Sequence, residues 1–525
     1  MSTDEPPRSD ISKPKPDRAD DSAKTRPKRP RIILPFTVDP KDLRLGALSW
    51  LERLRRDART GGVGFIASLC VHAAILIALA FLVFNQHRSG DGDPLLMTWA
   101  TQGELAERAA KKQRTVVVPV EVASIVGTTP SEKPVAVATG TKDTSTSPGV
   151  NPVDVTDSLA SRNPRTRSAT FEQLGGSPDA EKAIKAGLGW LARQQLKDGR
   201  WELHQGYPDA GRSYIKTDTG ATALALLALL GHGHTHEYGE HQAVVAKGLA
   251  WLQKTQDRTT GDLHDQRQEE GRSPAFYAHS MATIALCEAL ALTRDDQLRP
   301  AAELGVKYLL HSQHPDLGGW KYRPLAERTM FGDISVTAWA LMALHTARIA
   351  GIAVSPEEFE RSSGFLDRVQ EAGGARYKYE PDEPLSRITA ARTAMGLLCR
   401  QWLGWPKNYP PMVDGVKFLM DDSNRPKWSA DQRNVFEWYY ISQVMHNMGG
   451  EDWKKWNTTV REVVVRNQVP GAGGGRPGHD TGGSWSPKPE GEGEEFADKG
   501  GRLYITAMCV LILETPYRHR PIYAE

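Results

Sequence analysis

The segment from Lys185 to Trp201, KAGLGWLARQQLKDGRW, constrains this chain more than any other stretch, because degraded copies of it return about every 50 to 60 residues. In it a glycine, an aromatic residue and a leucine lead to Gln195, and Gly199 and Trp201 follow in a turn. Further copies begin at Gly248, at Gly305 (reaching Gln313, Gly319 and Trp320), at Ser362 and at Gly415, and a weaker sixth ends at Gly483 and Trp485. A repeat of this length is one supersecondary unit that cannot bury its apolar face alone and must stack on its neighbours.

Each repeat holds two apolar helical patterns separated by a turn rich in Gly, Asp and Pro. The second pattern is apolar nearly all round, as in GATALALLALLG (220–231), HSMATIALCEALAL (279–292) and ISVTAWALMALHTA (334–347), so it is buried. The first, such as AEKAIKAGLGWLARQQ, keeps a polar stripe for water. Six hairpins of this kind predict two concentric layers of helices.

The Gln195-x-x-x-Gly199-x-Trp201 element, preceded by Gly187 and Trp190-Leu191, gives the chain a resemblance to the squalene and hopene cyclase family with its prenyltransferase and squalene oxidase repeats, in a membrane-anchored bacterial form. The resemblance runs from Ala180 to the C-terminus. It implies an all-α fold, an (α/α)6 toroid of six helical hairpins over 171–525. It also implies that Gln195, Gly199, Trp201, Gln313, Gly319 and Trp320 are structural, tying each outer helix to its turn.

The N-terminal third differs in kind. Residues 1–60 are rich in Pro, Lys, Arg and Asp and cannot bury enough surface to order themselves, so a disordered basic tail is expected, with an interfacial helix near 41–58 on an anionic leaflet. From Gly64 to Phe84 the chain is apolar and without formal charge, which fits one transmembrane helix. Eleven Lys or Arg residues lie between Lys24 and Arg59 but only Arg88 in the twenty residues after the helix, so the N-terminus is expected in the cytoplasm and the repeats on the outer, periplasmic side. Ser68 and His72 share one face of that helix, a spacing that resembles the anchor of TonB-type energy transducers, where the histidine contacts a membrane motor. Residues 86–168, rich in Ser, Thr and Pro, are expected as a flexible linker, with an edge strand at Thr115 to Val126 as an option. The four cysteines, Cys70, Cys287, Cys399 and Cys509, sit in apolar runs without C-x-x-C spacing, which argues against a disulfide framework or thiolate zinc.

Polyprene cyclisation needs a strong acid, which hopene-type cyclases place in D-x-D-D-T-A. Here the matching stretch is Asp333-Ile-Ser-Val-Thr337-Ala338, so only the first acid is kept, and Asp218 shows the same outline in the first repeat. Catalytic candidates are therefore Asp333 and Asp218, with His279 as a partner, and helix capping is the competing reading. The D-x-C zinc site of the prenyltransferases and the C-G-E-Q run of the thioester proteins are absent. Asp218, His279, Asp333, Thr389 and Arg502 would form a polar rim at one mouth of the ring, with Trp339, Trp438, Tyr440 and Tyr504 as aromatic wall or as core. His232, His234, His236 and His241 are candidate metal ligands in a histidine-rich loop, against a solvated loop as the alternative. No cofactor is evident and no nucleic-acid motif appears; expected partners are the membrane, an isoprenoid or other apolar ligand, and envelope proteins. These readings point to a non-catalytic ligand-binding or protein-interaction module, with a divergent isoprenoid cyclase or lyase as the alternative.

Overall fold

The serine at 177 starts the first long helix by accepting the Ala180 amide at 3.2 Å, with Pro178 next to it, Asp179 and Glu181 in the first turn and Arg193 in the last. That helix belongs to a computed structural model that describes residues 147–204, 207, 215–265, 275–322, 331–385, 388–430, 432–471, 480–488 and 497–523. The expected interfacial helix 41–58, the membrane segment 64–84 with Ser68 and His72, and the strand at 115–126 lie outside the described residues.

The helices are α1 (Arg167–Gln173), α2 (Pro178–Arg193), α3 (Asp218–Gly231), α4 (Gln242–Thr255), α5 (Ala275–Thr293), α6 (Arg299–Ser312), α7 (Ile334–Ile349), α8 (Pro356–Val369), α9 (Ala390–Trp402), α10 (Pro410–Leu419), α11 (Val435–Met448), α12 (Gly450–Arg466) and α13 (Ala497–Arg518). Helices α3, α5, α7, α9, α11 and α13 pack side by side in that order, and α13 returns to α3, which closes a ring. The amphipathic helices form the outer layer: α4 lies on α3, α6 on α5, α8 on α7, α10 on α9, α12 on α11 and α2 on α13. In α3 every residue after Asp218 is buried, as a sequence apolar on all faces requires. Helix α5 is long and apolar enough to cross a membrane by length and composition, yet 78% of its apolar window is buried among its neighbours in the ring. A two-stranded antiparallel hairpin, β1 (Gln370–Glu371) with β2 (Arg376–Tyr377), forms the fourth turn.

The recurring glutamine binds neighbouring repeats together. Gln195 Nε2 donates to the carbonyls of Gly199 and Val244, at 2.9 and 2.8 Å, and so joins its own turn to the next outer helix. Gln256 repeats this with Gly261 and Ala301, and Gln313 reaches Glu358 and Ser362. Gln468 then does so with Gly483 and Ala183, both at 2.8 Å, and thereby links the last turn to the first outer helix. Gly199 is required twice over: its φ is +100°, and an added Cβ would come within 2.4 Å of the Lys247 carbonyl. In the third repeat this place belongs to Gly318, whose Cβ would meet the Arg361 carbonyl, while the expected Gly319 faces Phe365. Trp201 and Trp320 are fully buried and donate to Leu191 and Leu309 carbonyls.

The linker expected to run to 168 gives way to a packed strap well before that. Asn151 and Val153 donate backbone bonds to the Leu403 and Trp402 carbonyls, and Arg162 is fully buried. Leu159 and Arg162 are its buried anchors.

Candidate functional site

The inner helices run parallel, so their N-termini gather at one mouth of the ring and their C-termini at the other. At the N-terminal mouth lies a cavity of about 110 Å³ walled by apolar and aromatic side chains, among them Leu224, Tyr277, Met281, Trp339, Phe436 and Tyr504. Trp339 stacks on Tyr439 and meets Tyr440 edge-on, with ring centroids 5.8 and 6.2 Å apart. Tyr440 stands behind this wall and is fully buried, and Trp438 packs on Trp428.

Asp333 is buried behind the cavity as the N-cap of α7. Its Oδ1 accepts the Ser335 and Val336 amides, at 3.0 and 2.9 Å, and the Ser335 hydroxyl at 2.6 Å. Its Oδ2 lies 3.6 Å from Lys321 Nζ, which also meets Glu380 at 2.5 Å. Burial raises the Asp333 pKa, against the pull of Lys321 and Ser335. The Tyr277 hydroxyl donates to Ser335 Oγ at 2.5 Å, so a hydrogen-bond chain runs from a wall of the cavity to the buried acid. Burial, and next the Asp333 charge, drive the Tyr277 pKa up, which keeps the phenol protonated.

The other groups expected around this mouth are tied elsewhere. His279 accepts the Leu263 amide at Nδ1 and so presents Nε2–H to the Gly305 carbonyl, at 3.1 and 3.0 Å, which turns it toward the outer layer. Asp218 sits 3.0 Å from Arg200 Nε, and the cap of α3 is its neighbour Thr217. Thr389 caps α9, and Arg502 donates to Ser484 Oγ at 2.7 Å. Of the nine expected ligand-binding residues the structure brings Trp339 and Tyr504 to the cavity. It adds Tyr277 and Phe436, which lie in the first turns of α5, from Ala275, and α11, from Val435, ahead of the strongly apolar parts of these helices. Glu437, in the first turn of α11, accepts the Ala391 amide at 3.1 Å and is pushed up to about 7 by burial.

The histidine-rich loop splits in two. His232 and His234 stack, with Nδ1 and Nε2 3.2 Å apart, and His241 meets His234 edge-on. His236 instead turns to Asp295 at 3.0 Å and, with Glu237, makes a set whose ligand atoms could hold a metal ion. Cys287, Cys399 and Cys509 are buried.

The C-terminal mouth is polar and charged. Arg162 from the strap meets both Glu288 oxygens, at 2.8 and 2.9 Å, and Arg518 meets the same carboxylate at 3.0 and 3.2 Å. Arg518 also donates to the Leu227 carbonyl at 2.8 Å, an arrangement suited to the negative end of a helix. Burial pushes the Glu514 pKa well above the usual carboxylate range, against the pull of Arg518 at 3.3 Å. Beside this cluster lies a cavity of about 220 Å³ bounded by the ends of the inner helices, the strap and the tail that follows Arg518.

No protein family and no curated relative matches the chain. Among solved structures it is similar to an inactive variant of an α-1,6-mannanase of Salegentibacter sp. HEL1_6 bound to α-1,6-mannotetrose, at 12% identity and a TM-score of 0.43 over 65% of this chain and 99% of that one. A type II terpene cyclase variant from Scytonema with geranylgeranyl dihydroxybenzoate gives 13% identity and a TM-score of 0.41 over 66% and 99%. A protein from Actinoplanes gives 15% and 0.39 over 64% and 99%. The closed double ring rests on this chain's own packing: it is an α/α toroid.

Proposed function

We propose that this toroid is a non-catalytic binding module, held on the periplasmic side of a membrane by a single helix at 64–84, and that its N-terminal mouth takes an apolar group of an isoprenoid or similar ligand. The observation that carries this reading is the placement of Asp333: the acid of the cyclase-like motif is spent on capping α7 and pairing with Lys321, and it does not line the cavity. A volume of about 110 Å³ suits part of a ligand, since pockets that enclose a drug-sized molecule occupy roughly 300–1,000 Å³. Envelope proteins are the expected partners, with no cofactor and no nucleic acid. The test incubates the full-length protein with squalene and with farnesol. Binding that quenches tryptophan fluorescence and is lost in Trp339→Ala, without new products by mass spectrometry, supports the module; cyclic products from wild-type protein overturn it.

A second reading is a divergent cyclase or lyase. The unbroken chain Asp333, Ser335, Tyr277 favours it, because each hydroxyl could pass a proton outward while accepting one from within. Turnover of a polyprene that disappears in both Asp333→Asn and Tyr277→Phe, with folding retained, is its signature. Coupling of Ser68 and His72 to a membrane motor is a further proposal, tested by co-purification with a proton-channel partner.

A further inference from the structure

The cavity at the C-terminal mouth is lined by residues with buried side-chain nitrogens that, among the described residues, meet no hydrogen-bond partner. His345 Nδ1 and His446 Nε2 are two of these, in residues only 7% and 3% exposed, and both residues line the cavity. An unpaired buried polar atom costs about 1–3 kcal/mol, so such a pair calls for an occupant. Gln443 Nε2 adds an unpaired donor to the same lining, whereas several other polar groups there are engaged by the fold. Asn447 joins the Ile522 amide to Gln401, Thr346 donates to Met342 and Thr515 to Ile512, and Arg518 is taken by Glu288, Glu514 and Leu227.

The chemistry of the occupant follows from these two nitrogens and their surroundings. The His446 ring bonds to the Pro516 carbonyl through its other nitrogen, Nδ1–H, so Nε2 offers a lone pair. A lone pair repels a carboxylate or phosphate oxygen, whereas the Gln443 Nε2 amide in the same wall calls for an acceptor. A hydroxyl satisfies both requirements, and because it donates as well as accepts it also suits either tautomer of His345. Burial keeps both imidazoles neutral, with pKa values lowered to about 3 for His345 and about 4 for His446. A metal is disfavoured: among the described residues the grouping within metal-binding reach is His236, Glu237 and Asp295, elsewhere on the ring.

Size separates a ligand from ordered water. Water claims roughly 30 Å³ per molecule, so about 220 Å³ holds several more than these unpaired nitrogens would order. A wider cleft of about 580 Å³ shares His446, Asn447 and Pro521 with this cavity and so offers it an approach from the surface. Trp402 in the inner cavity and Trp453 in the cleft add flat aromatic faces of the kind that pack on the C–H face of a sugar ring.

We propose that the C-terminal mouth is a second binding site, for a small neutral polyhydroxyl molecule of monosaccharide size, whose hydroxyls bond to His345 Nδ1 and His446 Nε2. The full-length protein is titrated with glucose, inositol and glycerol, followed by saturation-transfer NMR and tryptophan fluorescence. The expected result is saturable binding of at least one probe, weakened roughly tenfold by His446→Phe and, as an independent variant if that one fails to fold, by His345→Phe, and unchanged by the surface substitution Lys417→Ala. No saturable binding by any of the three, or binding that survives both histidine substitutions, overturns the site and leaves ordered water as its content.

Discussion

The two mouths of this ring are built from the same six helices and are opposite in chemistry. At the N-terminal mouth, Trp339, Tyr504 and Phe436 enclose an apolar space, and the charged groups there are withdrawn into caps and pairs. At the C-terminal mouth, Arg162, Arg518, Glu288 and Glu514 are buried together beside a polar cavity. Helix polarity explains part of the difference. Six N-termini present amides that side-chain caps such as Thr217, Asp333, Thr389 and Asn434 can satisfy, which leaves the rim dry. Six C-termini present carbonyls, and these draw guanidinium groups into the fold.

The largest effect is expected where the charged mouth is cut. Glu288→Gln leaves Arg162 and Arg518 without their shared carboxylate and should cost about 3–5 kcal/mol in denaturant unfolding. A loss below about 1 kcal/mol would mean that water already solvates the cluster, and the contrast between the mouths would lose its basis.

Acid should next tell the mouths apart. His345 and His446 have folded pKa values of about 3 and about 4, below an unfolded value near 6.5, so the unfolded chain binds the extra protons. Stability is then full above about pH 6.5 and falls as the pH drops from there toward about 4, by about 1.4 kcal/mol per pH unit for each imidazole. Phenylalanine at both positions should flatten that slope in a pH series of melting curves. Glu437 at the N-terminal mouth works in the opposite sense. Its folded pKa of about 7 lies above the unfolded range, so its ionisation takes stability away as pH rises from about 4.5 to 7. Glu437→Gln should remove this smaller, opposing slope while leaving the histidine slope in place.

The smallest effect is expected at Tyr440, whose buried hydroxyl has no hydrogen-bond partner among the described residues. Tyr440→Phe keeps the packing against Trp339 and Phe436 and should change stability by no more than about 0.5 kcal/mol, or raise it slightly. A clear loss in calorimetry would reveal a polar partner and so a wetter N-terminal mouth.

Much of the scaffold was legible because periodicity reports burial directly. Apolar runs marked the buried helices, and the glutamine and Gly-x-Trp pattern marked several of the turns, with a one-residue shift that gives Gly318 the role expected of Gly319. The site was far less legible. Asp218, Asp333 and Thr389 share a position before an inner helix, but caps, ion pairs and rims draw on the same residue types, and only partners such as Arg200 and Lys321 tell them apart. Tyr277 and Phe436 fell before the runs that defined their helices, and Arg162 lay in a stretch whose composition matched a linker.

The sequence by itself determined the number of hairpins, which helix of each pair is buried, and where glycine and glutamine must stand, because these depend on local spacing and on the polarity of each helix face. Tertiary structure alone decided that α13 closes on α3, that Gln468 reaches Ala183 across the chain's two ends, and that Arg162 meets Glu288 and Arg518 at one mouth while Trp339 and Tyr504 meet at the other. Those contacts join residues hundreds of positions apart, and a side chain's chemistry is set by the neighbours that ring closure gives it rather than by those beside it in the chain.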